Sequence, residues 1–156
     1  MLINQGRVEA LGSPEELFLN PDLSLVKHAH SGLLLKVTSL VYDEKYALLR
    51  GWLDGQEVFL TAHNIEGQQQ VQVKVESKDV VIATALLNHC SLQNCLRVTI
   101  SSIKPLLKGS VLLTLSTGKQ KILAKVTCKS LYELDLQVNQ SIFAYIKTLS
   151  ILDDLN

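Results

Sequence analysis

The sequence predicts a mainly β protein: two small barrel halves of the OB type with short helices, following a β-hairpin and helix at the N-terminus. Three observations carry that prediction. From Leu33 onward the apolar residues recur with period two in short runs. Turn residues break those runs at short intervals, and helix signals are confined to a few short stretches. Many short strands with little helix point to Greek-key barrels, and eight or nine strands exceed what one five-stranded barrel needs. Three segments result: 1–31, 32–87 and 88–156.

The first segment opens with a hairpin. Met1–Ile3 and Arg7–Ala10 flank Asn4-Gln5-Gly6, whose glycine supplies a positive-φ position. Ser13, Pro14 and Glu16 then form a helix start, with a cap, a first-turn proline and a capping box, and Asn20-Pro21 ends it. This unit is too small for a core of its own, and residues 22–32 read as a linker. The runs LLLKVTSLVY, YALLRGWLD, QEVFLTAH and QVQVKVES follow as strands, and KDVVIATAL as a strand or a turn plus strand. In the last segment CLRVTISSI, SVLLTLST, KILAKVTC and SIFAYIKTLSI are strands. Ser116–Gln120 makes a tight hairpin with Gly118 at its turn, and SLYELDL a short helix boxed by Ser130 and Glu133.

The 156 residues are 47% hydrophobic but only 5% aromatic, and 15 basic residues balance 15 acidic ones. A neutral chain with few aromatics lacks both the basic stripe and the stacking platforms of a nucleic-acid binder. No apolar run approaches the ~20 residues that span a bilayer, and the N-terminus does not read as a signal peptide. Three cysteines, an odd number, fit a reducing compartment better than a disulfide framework. Phosphate loops, dinucleotide fingerprints, nucleophile elbows and zinc-protease helices are all missing from the sequence, so no catalytic residue is assigned.

The stretch NHCSLQNCLRV (88–98) draws attention through His89, Cys90 and Cys95. A structural zinc site wants four ligands, and only Cys128 and distant histidines remain; His28 and His30 likewise lack a completing set. No metal site is assigned. The cysteines read as small packing residues. The polar residues of that turn carry more chemistry. Ser91 and Asn94 can offer a hydroxyl, an amide and backbone N–H groups to an anion. Thr127 and Ser130 stand where a helix begins, and Lys147 and Thr148 end the last strand. Hydroxyls, N-terminal amides and one ammonium suit a small tetrahedral oxyanion, whose oxygens only accept. The alternative is structural: Ser130 as a cap and Lys147 as a solvated charge.

Taken in order, KDVVIAT, SLQNCLRVTI and ILAKVTCKSLYELDLQVNQSIFAYIKTLSI resemble the molybdate-binding Mop (TOBE-type) domain, which pairs an S-x-R-N turn with an I-T-x-x-S segment and a final I-K-[ST] strand. LINQGRVEALGSPEELF resembles the closing hairpin and helix of an ABC ATPase domain. Together they resemble the C-terminal portion of a molybdate importer's ATP-binding subunit. The resemblance implies an oxyanion-binding regulatory domain that senses molybdate or tungstate at a dimer interface. It assigns the contacts to Ser91, Gln93, Asn94, Thr127, Ser130, Lys147 and Thr148. It further implies no cofactor, with ATP bound only in an upstream domain, so that this piece does not hydrolyse ATP. The implied partners are a second copy and, in the whole importer, a transmembrane permease, at the cytoplasmic face of the membrane. One departure stands out: Gln93 replaces the arginine of the pattern, removing a charge and a bidentate donor. The alternative is a structural dimerisation module without a small ligand.

Overall fold

The computed structural model describes residues 2–4, 7–12, 32–61, 68–147 and 149. Strands β1 (Leu2–Asn4) and β2 (Arg7–Ala10) pair antiparallel as a small separate hairpin. The capped helix expected at Ser13–Asn20 and the linker after it, with His28 and His30, lie outside the described residues.

A four-stranded antiparallel sheet follows: β3 (Gly32–Asp43), β4 (Leu48–Leu53), β5 (Gln56–Thr61) and β6 (Gln70–Glu76), in the order β5-β4-β3-β6. Alternation decides its faces. Val71, Val73 and Val75 turn inward while Gln70, Gln72 and Lys74 face out, as a period-two strand requires. The β4–β5 loop is the two-residue Asp54-Gly55, both at positive φ (48° and 81°), which matches the twist of a tight hairpin. Across β4, Gly51 faces the bulge between Thr38 and Val41 of β3. A Cβ there would collide with Val37 and come within 2.9 Å of Leu40, so glycine lets the bulged strand close down.

A 3-10 turn at Ser77–Asp79 leads into β7 (Val80–Ala83). The second sheet also holds β8 (Asn94–Pro105), β9 (Ser110–Ser116), β10 (Lys121–Thr127) and β11 (Ser141–Ile146), in the order β10-β9-β8-β11-β7. The fold is mainly β with curled sheets of the OB type. β7 falls inside the 32–87 segment of the sequence reading, yet it pairs with β11 of the second sheet, Val80 opposite Ile146. The chain therefore changes sheets before residue 87. One continuous core fills both sheets, from Leu35, Leu49, Val58 and Val73 to Leu96, Leu113, Ile122 and Ile142.

The helix α1 (Cys128–Glu133) begins earlier than the sequence suggests. Its N-cap is Thr127, whose hydroxyl accepts from the Ser130 N–H at 3.0 Å, so Ser130 sits inside the first turn and not before it. Glu133, expected to close a box with Ser130, instead faces Lys129 at 3.5 Å.

Side-chain amides stitch the sheets together. β9 pairs with β8 only from Thr99 onward, which leaves the start of β8 open on that side. Gln56 fills the gap: its Nε2 donates to the Arg97 carbonyl at 3.0 Å and its Oε1 accepts from the Arg97 N–H at 2.7 Å. Gln120 does the same to Lys36 of β3, at 3.0 and 2.7 Å. Each carboxamide imitates one rung of a β ladder. Beside Gln120, the Asp54 Oδ2 accepts from the Thr117 hydroxyl (2.7 Å) and from the N–H groups of Lys119 (2.8 Å) and Gln120 (2.7 Å).

Candidate functional site

The turn before β8 and the end of β11 meet because β8 and β11 are antiparallel, with Asn94 opposite Ile146. Leu92, Ile146, Lys147 and Leu149 therefore line one wall of an open cleft of about 480 Å3. Lys74, Val75, Glu76 and Asp79 line the other. Ser91 and Gln93, either side of Leu92, are exposed, and their side chains bond to no other described residue. The structure thus brings Lys147 and the 91–93 turn to one place.

Asn94 behaves differently. It is 0% exposed, and all its donors are used. Nδ2 donates to the carbonyls of Phe59 (3.0 Å) and Lys147 (3.1 Å), while Oδ1 accepts from the Phe59 N–H (2.6 Å). No amide hydrogen is left for an anion in this arrangement. Asn94 holds β5 against β8 and fixes the backbone from which Lys147 projects.

The charges of the cleft are mixed. Glu76 faces Lys78 at 2.9 Å and Lys74 at 3.4 Å. Its hydrogen bond with Lys78, first, and the two lysine charges hold its carboxyl below the usual range, and the same contact pushes Lys78 up. Lys147 is exposed and makes no ion pair among the described residues, which makes it the cation of this cleft most open to an added anion.

Thr127 and Ser130 stand apart from the cleft lining. Thr127 pairs with Ser110, level with the Pro105 end of β8, and its hydroxyl lies 3.0 Å from that of Ser130. The pair caps α1, and no described hydrogen bond ties it to the 91–93 turn. Thr148 lies outside the described residues. Of the cysteines, Cys95 and Cys128 are half-buried, and Cys128 packs against the core, while Cys90 is exposed and does not pack as expected. No group of three histidines, cysteines or carboxylates among the described residues is placed to hold a metal ion. No helix there is long and apolar enough to cross a membrane.

Sequence reasoning missed Lys74, Glu76 and Asp79 as cleft residues. Their signal was the outward half of the β6 alternation, which delivers Lys74 and Glu76 to one face just before the chain changes sheets.

Residues 91–151, most of the second sheet with α1, match the TOBE domain family. Over nearly its whole length the chain is also similar to one kind of transport subunit. It is 29% identical to the molybdenum import ATP-binding protein ModC of Hahella chejuensis, over 98% of this chain and 43% of that protein. With ModC of Pseudomonas syringae pv. tomato the identity is 30%, over 97% of this chain and 43% of the other. The chain spans about two-fifths of the length of these relatives and corresponds to their C-terminal part. A solved structure of the cytoplasmic molybdate-binding protein ModG, with molybdate bound, superposes with a TM-score of 0.63 at 20% identity. It covers 77% of this chain and 93% of that one, a likeness of fold.

Proposed function

We propose that this chain is the oxyanion-binding regulatory domain of a molybdate importer's ATP-binding subunit, taking molybdate or tungstate between two copies. The observation that carries the proposal is the similarity to molybdenum import subunits over 97–98% of the chain, with the Ser91, Thr127–Ser130 and Lys147 elements in the family's order. Lys147 supplies the charge, and the Ser91 hydroxyl, the Gln93 amide and backbone N–H groups supply donors. Thr127, Ser130 and Thr148 complete the shell. Because the described contacts do not join Thr127 and Ser130 to the 91–93 turn, the second copy brings the missing donors. Occupancy would then be coupled to the ATP-binding part of the whole subunit, at the cytoplasmic face and next to its permease. This piece alone is expected to release no phosphate from ATP, which a colorimetric assay checks.

Calorimetric titration with molybdate, tungstate and sulfate tests the proposal. The first two should bind and sulfate should not. Lys147→Ala should weaken binding about 10-fold or more, the loss expected for one charge-assisted contact. Equal binding by that variant would refute the site assignment even if binding itself were real. A second reading, a dimerisation module with no ligand, is favoured by the uncharged Gln93 and by the fully engaged Asn94 amide. Absence of heat with both oxyanions would leave that reading standing.

A further inference from the structure

Cys90 and Cys95 bracket the 91–93 turn, and the fold brings their surroundings together. In β8 the inward positions are Asn94, Leu96 and Val98, so Cys95 points to the outer face. There it stands opposite Tyr145 of β11. Tyr145 is buried on that outer face, because the 84–93 segment folds back across it: the Leu87 N–H donates to the Tyr145 hydroxyl at 2.8 Å. The segment takes a left-handed step at His89 (φ 59°), and the next residue, Cys90, is exposed. The Cys95 thiol, first, and the charge of Cys90 push the Tyr145 phenol above its ordinary value. Cys90 thus follows the segment that crosses Tyr145 and Cys95 stands beside Tyr145, the first thiol exposed and the second half-buried. Cys128 lies elsewhere, against the core at the start of α1.

We propose that Cys90 and Cys95 are a redox-sensitive dithiol that closes to a disulfide across the 91–93 turn and reopens on reduction. The exposed Cys90 reacts first with a peroxide. Its thiolate attacks one oxygen of hydrogen peroxide, giving a sulfenic acid and releasing hydroxide. The Cys95 thiol then displaces that hydroxyl as water, and the S–S bond forms. Two thiols have lost two electrons, and the peroxide has taken them up. A dithiol reductant reverses the step by exchange. A transient bridge of this kind suits a reducing compartment, where persistent disulfides are rare. The proposal goes beyond the reading as an oxyanion domain and holds whether or not the turn binds an anion.

Peptide mapping by mass spectrometry tests it on the whole 156-residue chain, reduced, pulsed with hydrogen peroxide and then alkylated. The expected product has lost two hydrogens, still alkylates at Cys128, and yields peptides cut at Leu92 that stay joined until dithiothreitol is added. Cys128→Ser should leave the bridge intact, and Cys95→Ser should abolish it, with Cys90 passing on to sulfinic acid. Sulfinic acid at Cys90 in the unmodified chain, with Cys95 still alkylatable, would overturn the proposal. So would a bridge that joins two chains or one that includes Cys128. Because the decisive readout uses the unmodified sequence, it does not depend on any variant folding.

Discussion

The seam between the two sheets and the turn that precedes β8 use the same side-chain chemistry for opposite ends. Gln93 and Asn94 are adjacent carboxamides; one is exposed and bonds to no described side chain or backbone group, and the other is 0% exposed with both amide hydrogens used. Gln56 and Gln120 belong with Asn94, each paired in two directions with the backbone of a strand in the opposite sheet. What separates the groups is what each side chain can reach. Asn94, Gln56 and Gln120 stand beside strand N–H and C=O groups of the other sheet, and a carboxamide that reaches such groups becomes part of the ladder. A carboxamide that reaches none stays available to a ligand.

Breaking the seam at its most buried point should have the largest effect. Asn94→Ala leaves the Phe59 N–H and the Lys147 carbonyl without this partner and the Phe59 carbonyl with the Leu149 N–H at 3.3 Å, and should cost about 2–4 kcal/mol in urea unfolding. Gln93→Ala in the same assay should change stability by less than about 0.5 kcal/mol, as an exposed position does. Equal losses at the two positions would erase the contrast drawn between them.

Asp54 comes next, and it adds a pH test. Burial pushes its carboxyl up, but the Thr117 hydroxyl and the Gln120 and Lys119 amides outweigh that and hold it below the ordinary value. A carboxylate whose folded pKa is depressed stabilises fully above its unfolded pKa and loses that stabilisation as pH falls through the folded value. The chain should therefore lose stability as pH drops below about 4. Asp54→Asn should cost about 1–3 kcal/mol at neutral pH and flatten that acid limb. An unchanged acid limb in the variant would show that other carboxylates set it.

How much of this was legible in the sequence follows from the same contrast. Strands announced themselves because alternation is local: Val71, Val73 and Val75 are each two residues apart. The helix start was misplaced by one turn because both Thr127 and Ser130 carry a capping hydroxyl, and only the backbone decides which one caps. The seam was invisible. Gln56 meets Arg97, Gln120 meets Lys36 and Asn94 meets Phe59, in each case a backbone group on the other sheet, and no pattern marks a glutamine whose partner is main chain. Asn94 was consequently grouped with its exposed neighbours as an anion donor. The turn and Lys147 were legible as polar residues at strand ends, whereas Lys74, Glu76 and Asp79 joined their cleft only through the change of sheet at β7.

A smaller effect than at Asn94 or Asp54 is expected at Thr127, where the two kinds of use meet in one residue. Its hydroxyl accepts from the Ser130 N–H and lies 3.0 Å from the Ser130 hydroxyl, yet the side chain is exposed and free to take part in a shared site. As a cap alone, Thr127→Ala should cost about 1 kcal/mol, and Thr127→Ser should restore most of it by keeping the oxygen. As a cap and a ligand group together, Thr127→Ala should also weaken molybdate binding, while Thr127→Ser keeps both properties. Unfolding and titration on the same two variants separate the cases. Lost stability with unchanged affinity would assign Thr127 to the fold alone and leave the turn and Lys147 to carry the anion.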